Sequence, residues 1–236
     1  CSSLSTITIP DSVTHIGSRA FQACKSLTTI TIPNSVTSIA ARTFQFCSNL
    51  ATVTIPNSVT SIDETAFQFC LSLSIVTIPD SVDSIGHSAF YGCSNLSTIT
   101  ISNSVSSIRN STFLSCSSLS TVTIPDSVTS IGDSAFYNCV KLSNITIPDS
   151  VTSIGDSAFQ FCSNLNTITI PNNVTTMVGD LALPSCLGFG LSFEVEEDNN
   201  PRGVVHCISC ESETIVIPNN VTSIGRYAFA YCSNVV

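Results

Sequence analysis

The chain has 236 residues, 16 acidic against 7 basic side chains, a formal net charge of −9 and a mean hydropathy of +0.40. That content of Ile, Val, Leu and Phe argues against intrinsic disorder, and seven scattered Lys and Arg make no nucleic-acid-binding patch. The longest stretch without a charge, Ser84 to Ile108, is broken throughout by Ser, Thr and Asn, so no membrane insertion is expected of this segment.

Cys1, Cys24, Cys47, Cys70, Cys93, Cys116, Cys139 and Cys162 stand 23 residues apart, and repetition at a fixed period marks a repeat architecture. Units of 23 cover residues 1–161, and 162–185 is a unit with one extra residue. Residues 186–208 form a degenerate, insert-like unit, 209–231 a regular one, and 232–236 a truncated start. The whole of 1–236 therefore reads as a single array, regular over 1–185 and 209–236. The only Met is Met177 and residue 1 already lies at a unit boundary, so a piece of a longer protein is expected.

Each regular unit follows C-x-x-L-x-x-[IV]-x-I-P-[DN]-S-V-x-x-I-x-x-x-A-F-x-x, shown whole by Cys139 to Phe161. Ile145 and Ile147 alternate with polar Asn144 and Thr146, the pattern of a short strand with one buried face. Pro148 lacks the N–H to continue a ladder, and Asp149-Ser150 supplies turn chemistry. Val151 and Ile154 then point inward. Gly155 to Phe159 reads as a turn, an Asp N-cap and one or two helical turns, closed by Cys162. One unit cannot bury its own Leu, Ile, Val, Phe and Cys, whereas stacked copies can. The expected fold is an α/β solenoid: a right-handed superhelix with one parallel β-sheet and short helices on the opposite face.

These units resemble the BspA-like, Treponema-type leucine-rich repeat, whose signature is similar to L-x-x-I-x-I-P-x-S-V-x-x-I-G-x-x-A-F-x-x-C. The likeness covers residues 1–185 and 209–236. Phe193-Glu-Val195, Asn199-Asn200-Pro201 and Gly203-Val204-Val205 are similar to a hairpin-like insert found between such repeats. The resemblance implies surface adhesion or protein binding rather than catalysis. It also implies a cell-surface or extracellular location, with the cytoplasm as the alternative.

The residues themselves offer little chemistry. The regular Cys column reads as buried free thiols that act as small apolar residues. His206, Cys207 and Cys210 with Cys186 could supply zinc ligands, or Cys207 and Cys210 a local disulfide, but a displaced column position is the simpler reading. His15 and His87 occupy different unit positions and no G-x-S-x-G occurs, so no enzyme activity, metal or cofactor is expected. Asp126 over Asp149, and Asp133 over Asp156 near Asp180, could stack as Ca²⁺ ligands but read more simply as solvated turn and N-cap residues. Glu194, Glu196, Glu197 and Asp198 read as a solvated acidic loop.

What remains is the outward face of the strands. Thr6 and Thr8, Thr29 and Thr31, Thr52 and Thr54, Thr98 and Thr100, Thr121 and Thr123, and Thr167 and Thr169 recur at two unit positions. Among the first eight units only Ile75 and Asn144 interrupt the first column, and nothing interrupts the second. Thr is a favoured strand residue and Thr neighbours stabilise sheets, so the columns have a structural reason to exist. Their smooth, uncharged surface nevertheless suits a protein or another extended ligand better than a small molecule in a pocket. A non-enzymatic scaffold binding through this face is the leading expectation. An architectural spacer and an ice-binding Thr-x-Thr lattice are the alternatives.

Overall fold

The computed structural model describes residues 3–165, 167–171, 174, 176–177, 189–194 and 203–209. Numbering each 23-residue unit as a coil, with coil 1 at residues 1–23, the chain forms a stack in which residue i lies against residue i+23. Three-residue strands recur as Thr29–Thr31, Thr52–Thr54, Ile75–Thr77, Thr98–Thr100, Thr121–Thr123 and Asn144–Thr146, followed by Thr167–Ile170. All are parallel, in the register Thr29↔Thr52, Ile75↔Thr98, Thr98↔Thr121 and Asn144↔Thr167.

The expectation of one sheet needs correction. A second series of parallel two-residue strands runs beside the first, with Ser38–Ile39, Ser61–Ile62 and Ser84–Ile85 in a three-stranded sheet and Ser107–Ile108, Ser130–Ile131, Ser153–Ile154 and Thr176–Met177 in a four-stranded one. Pro and Asp or Asn turn the chain between the two ladders, and Val36, Val59, Val82, Val105, Val128 and Val151 seal the corner from inside. Coil 1 contributes no strand, although residues 5–9 have the strand pattern. There the Thr28 N–H donates to the Ser5 carbonyl at 3.1 Å, and regular pairing begins with coil 2.

The expected short helices are absent: the described residues contain no helix. Hydrogen bonding in the segment after each second strand shows why. In coil 2 the amides of Arg42, Phe44 and Phe46 donate to Glu64, Ala66 and Gln68 of coil 3, at 3.1, 2.8 and 2.8 Å. The intervening amides of Thr43, Gln45 and Cys47 close turns on Ala40, Arg42 and Phe44. A helix would spend every amide within its own coil, four residues back, and would leave adjacent coils unjoined on this side. The alternation instead requires a left-handed residue twice per coil: Arg42 and Phe46 have φ 61° and 63°, Thr65 and Phe69 have 53° and 58°, and Ser134 and Asn138 have 53° and 59°. Such backbone costs of order 1 kcal/mol per residue and persists only because inter-coil bonds over-determine it.

The core is a set of columns. Leu27, Leu50, Leu73, Leu96, Leu119 and Leu142 are fully buried. Phe44, Phe67, Phe90, Phe113, Phe136 and Phe159 form a stack with ring centroids 5.3–5.8 Å apart, continued by half-buried Phe21 against Phe44 at 5.4 Å. The cysteines from Cys24 to Cys162 are free and buried, as their regular placement suggests. Their thiols also hydrogen-bond. The Cys47, Cys70, Cys93, Cys116, Cys139 and Cys162 S–H groups donate to the carbonyl of the Phe 26 residues earlier, at 3.0–3.2 Å. Ser of the P-[DN]-S turn adds a further inter-coil bond: Ser58, Ser81 and Ser127 donate to Val36, Val59 and Val105 at 2.6–2.7 Å.

In the degenerate unit, the backbone of Gly203–Ser209 pairs antiparallel with Thr167–Ile170, and Phe189–Glu194 pairs antiparallel with Gly203–Ser209. The described strands of the 186–208 unit therefore pair antiparallel and do not extend the parallel ladder.

Candidate functional site

Alternation within the three-residue strands sends their central residue inward and its two neighbours outward, giving exposed–buried–exposed patterns in most coils. Thr29, Thr31, Thr52, Thr54, Thr98, Thr100, Thr121 and Thr123 are all exposed on one face. Thr6 and Thr8 are exposed too, but on the non-strand segment of coil 1. Thr167 and Thr169 take the next positions by backbone register, opposite Asn144 and Thr146; their side chains lie outside the described residues. The outward positions expected from the sequence thus recur from coil 2 to coil 7, with Ile75 and Asn144 standing in place of Thr in the first column.

Charge is segregated around them. Among the described residues, unit positions 4–16, which hold both ladders and the turn between them, carry Asp11, Asp80, Asp83, Asp126 and Asp149 and no Lys or Arg. Arg19, Arg42 and Arg109 sit at unit positions 17–19 and Lys25 and Lys141 at positions 2–3, around the turn segment instead. One of these, Arg42, meets Glu64 at 3.6 Å with both side chains well exposed, a pairing worth little.

Each ladder has one break among the described residues: the second between Ser84–Ile85 and Ser107–Ile108, and the first between Thr52–Thr54 and Ile75–Thr77, which belong to separately hydrogen-bonded sheets. At this point Ile75 replaces Thr and stands 60% exposed. Val53 and Ile55 are half-buried, although their equivalents Ile30, Ile32, Val76 and Ile78 are buried. A cavity of about 580 Å³ opens there on the strand side, lined by apolar Val53, Ile55, Ile75, Ile78 and Pro79 and by polar Thr54, Asn57, Thr77, Asp80 and Thr100. Sequence reading missed this cavity, although the interruption at Ile75 was its one visible signal.

The other candidates are not brought together. His15 and His87 are both exposed, three coils and three unit positions apart. The stacked Asp133 and Asp156 do not cap helices: Asp133 Oδ1 accepts the Asp156 amide of the next coil at 2.9 Å, and Asn110 Oδ1 accepts the Asp133 amide at 3.2 Å. Carboxylate stacking here is a byproduct of inter-coil amide capture. Asp126 and Asp149 are exposed turn residues. Among the described residues, no group of three or more His, Cys, Asp or Glu could hold a metal ion, and no helix is long and apolar enough to cross a membrane. Asp180, Cys186, Glu196, Glu197, Asp198 and Cys210 lie outside the described residues, as do the side chains of Glu194, His206 and Cys207.

Burial sets the chemistry of the thiols. Desolvation pushes Cys93 and Cys162 up from 9.0 to about 12, and it holds Cys70, Cys116 and Cys139 well above their ordinary range, with neighbouring thiols adding to the effect. A thiol so raised is neither a nucleophile nor a metal ligand near neutral pH.

A family model for the BspA-type leucine-rich repeat region matches in six copies over residues 1–97, 83–188 and 206–236. The chain belongs to this family. A leucine-rich repeat protein of Treponema pallidum is 30% identical, with 64% of this chain and 70% of that one covered and a TM-score of 0.60. Leucine-rich repeat proteins of Bacteroides ovatus and Eubacterium ventriosum are 33% and 28% identical over 73% and 77% of this chain, with TM-scores of 0.57 and 0.62. The matched parts are 51% and 48% of those two chains, about half their length. A comparison with curated proteins finds no match.

Proposed function

We propose that this chain is a non-enzymatic leucine-rich-repeat scaffold that binds protein through its threonine-rich strand face, at a cell surface or outside the cell. The observation that carries the reading is the exposed two-column Thr array, unbroken by Lys or Arg from coil 2 to coil 7. Hydroxyls and methyls at about 4.8 Å between strands give a wide surface of low desolvation cost and no deep enclosure, suited to a partner that lies along several coils. Family membership supports a repeat scaffold, and the high thiol pKa values and scattered His support a chain without a catalytic centre. The surface location rests on the family resemblance.

The test is a triple variant, Thr52→Lys, Thr98→Lys and Thr121→Lys, beside a control with Lys substitutions at exposed turn-segment sites. Three outward charges should leave the fold intact while blocking close approach of a partner. A protein captured from a cell-surface extract by the intact chain and the control, and lost by the triple variant, supports the reading. Capture unchanged in the triple variant overturns it.

A further inference from the structure

The cavity in coils 3 and 4 gives the binding face a position that the repeats alone do not. Apart from polar Asn144 in coil 7, the Thr columns are otherwise uniform, so a ligand could slide by one coil and meet nearly the same surface. At Ile75 that equivalence ends: a 60% exposed aliphatic side chain stands beside a cavity of about 580 Å³ whose apolar walls, Val53, Ile55, Ile78 and Pro79, alternate with Thr and Asn side chains. Asp80 stands at the same cavity, in the turn that follows the strand Ile75–Thr77.

We propose that this cleft is the anchor site for an extended basic–apolar peptide segment, one that seats an aliphatic or aromatic side chain against Ile75 and places a Lys or Arg at Asp80. This deepens the scaffold reading above and rests on it. Two independent observations select the occupant. The cavity is lined by aliphatic side chains and by Thr and Asn side chains in about equal part, and it is large enough for a Leu or Phe side chain with its flanking backbone, so that the apolar side chain can pack on Ile75 while the backbone meets hydroxyl and amide groups. The second observation is charge. Unit positions 4–16 carry Asp11, Asp80, Asp83, Asp126 and Asp149 and no cation among the described residues, while the described Lys and Arg lie around the turn segment. An acidic segment would be repelled along the whole face, and a neutral one would gain nothing from Asp80. An extended conformation fits because the cleft opens at a discontinuity between parallel strands, at the end from which the Asp and Asn turn residues project.

The experiment uses the intact chain and a fluorescein-labelled peptide Lys-Leu-Lys-Phe-Lys, acetylated and amidated at its ends, read by fluorescence anisotropy. Two variants probe the cleft. Ile75→Thr and Asp80→Asn place there the residues that other coils carry at the same unit positions, so folding is preserved; circular dichroism and the thermal midpoint confirm this. Saturable binding is expected for the wild type, weakened roughly threefold or more by each variant and unchanged by Leu71→Ser, which removes an exposed aliphatic side chain outside the strand face. Raising NaCl from about 0.05 to 0.3 M should weaken it further. Replacing Lys by Glu, or Leu and Phe by Ser, in the peptide should abolish it. The inference is overturned if the wild type does not bind, if either variant binds as the wild type does, or if the Ser peptide binds equally well, which would reduce the effect to net charge. A protein partner lost by the Thr→Lys triple variant but indifferent to Ile75→Thr and Asp80→Asn leaves the face in place and removes the cleft.

Discussion

The column of buried thiols makes the array sensitive to alkali in a way that one substitution can expose. Cys93 is fully buried, its S–H donates to the Phe67 carbonyl at 3.1 Å, and its pKa is raised by desolvation from 9.0 to about 12. Below pH 9 folded and unfolded chains both carry the proton and the thiol contributes its full packing. Between pH 9 and 12 the unfolded chain releases the proton and the native state keeps it, so stability falls as pH rises. The slope is about 1.4 kcal/mol per pH unit for each such thiol. Replacing Cys93 by Ala removes one sulfur from the core and should cost roughly 1–2 kcal/mol at pH 7.5, from lost packing. At pH 10 the same variant has one proton fewer to hold, so its deficit should shrink by about 1.4 kcal/mol and approach zero. Urea unfolding followed by circular dichroism at pH 7.5, 8.5, 9.5 and 10, under reducing conditions, reads this difference directly, and other titrating groups cancel between the two proteins. A Cys93→Ala deficit that stays constant from pH 7.5 to 10 would refute the reasoning, as would reaction of the native thiols with a disulfide reagent at the rate of an exposed cysteine.

Other predictions follow from the same columns and turns. Phe90→Ala removes a fully buried ring stacked on Phe67 at 5.3 Å and Phe113 at 5.8 Å and should cost roughly 3–5 kcal/mol, measured by chemical denaturation; a loss below about 1 kcal/mol would mean the column is not packed as described. Cys93→Ser keeps a donor for the Phe67 carbonyl, so it should cost about 1 kcal/mol, near the low end for a buried hydroxyl, and less than at a site with no acceptor in reach. Thr65→Gly should stabilise by about 0.5–1 kcal/mol, because a β-branched residue there holds φ at 53°, whereas Gly92→Ala should destabilise by at least about 1 kcal/mol, since a Cβ would meet the Phe69 ring at 2.5 Å with φ at 73°. Asp133→Ala should cost about 1 kcal/mol and Asp133→Asn less, since Asn keeps an Oδ1 acceptor for the Asp156 amide and loses only the Oδ2 that accepts from Asn110 Nδ2; equal losses in the two thermal scans would show that the bond to the Asp156 amide contributes nothing.

Much of this molecule is legible in its sequence because translation is its only symmetry. An unbroken spacing of 23 residues places Cys on Cys, Phe on Phe and Thr on Thr before any coordinate is known. Strand alternation then decides that Ile30 and Ile99 face in and their Thr neighbours face out, as the structure has them. The outward exposure of the Thr pairs from Thr29 to Thr123 was legible for the same reason. The turn segment was not: Gly155-Asp156-Ser157-Ala158-Phe159 carries the signs of a capped helix start, and within one isolated unit a helix is the best use of its amides. Neighbouring coils change that comparison. With another copy stacked alongside, alternate N–H groups find carbonyls 22 residues away, as Phe136 does with Ala158 at 2.8 Å, and the chain accepts left-handed backbone at Ser134 and Asn138 in return.

The sequence by itself determined the period, the core columns and the outward Thr rows, because each depends only on side-chain polarity counted along the chain. Only the tertiary structure decided between helix and turn, between one ladder and two, and where the face opens at Ile75. Those outcomes depend on which backbone groups of adjacent coils come within hydrogen-bonding distance, a property of the stack and of no single unit.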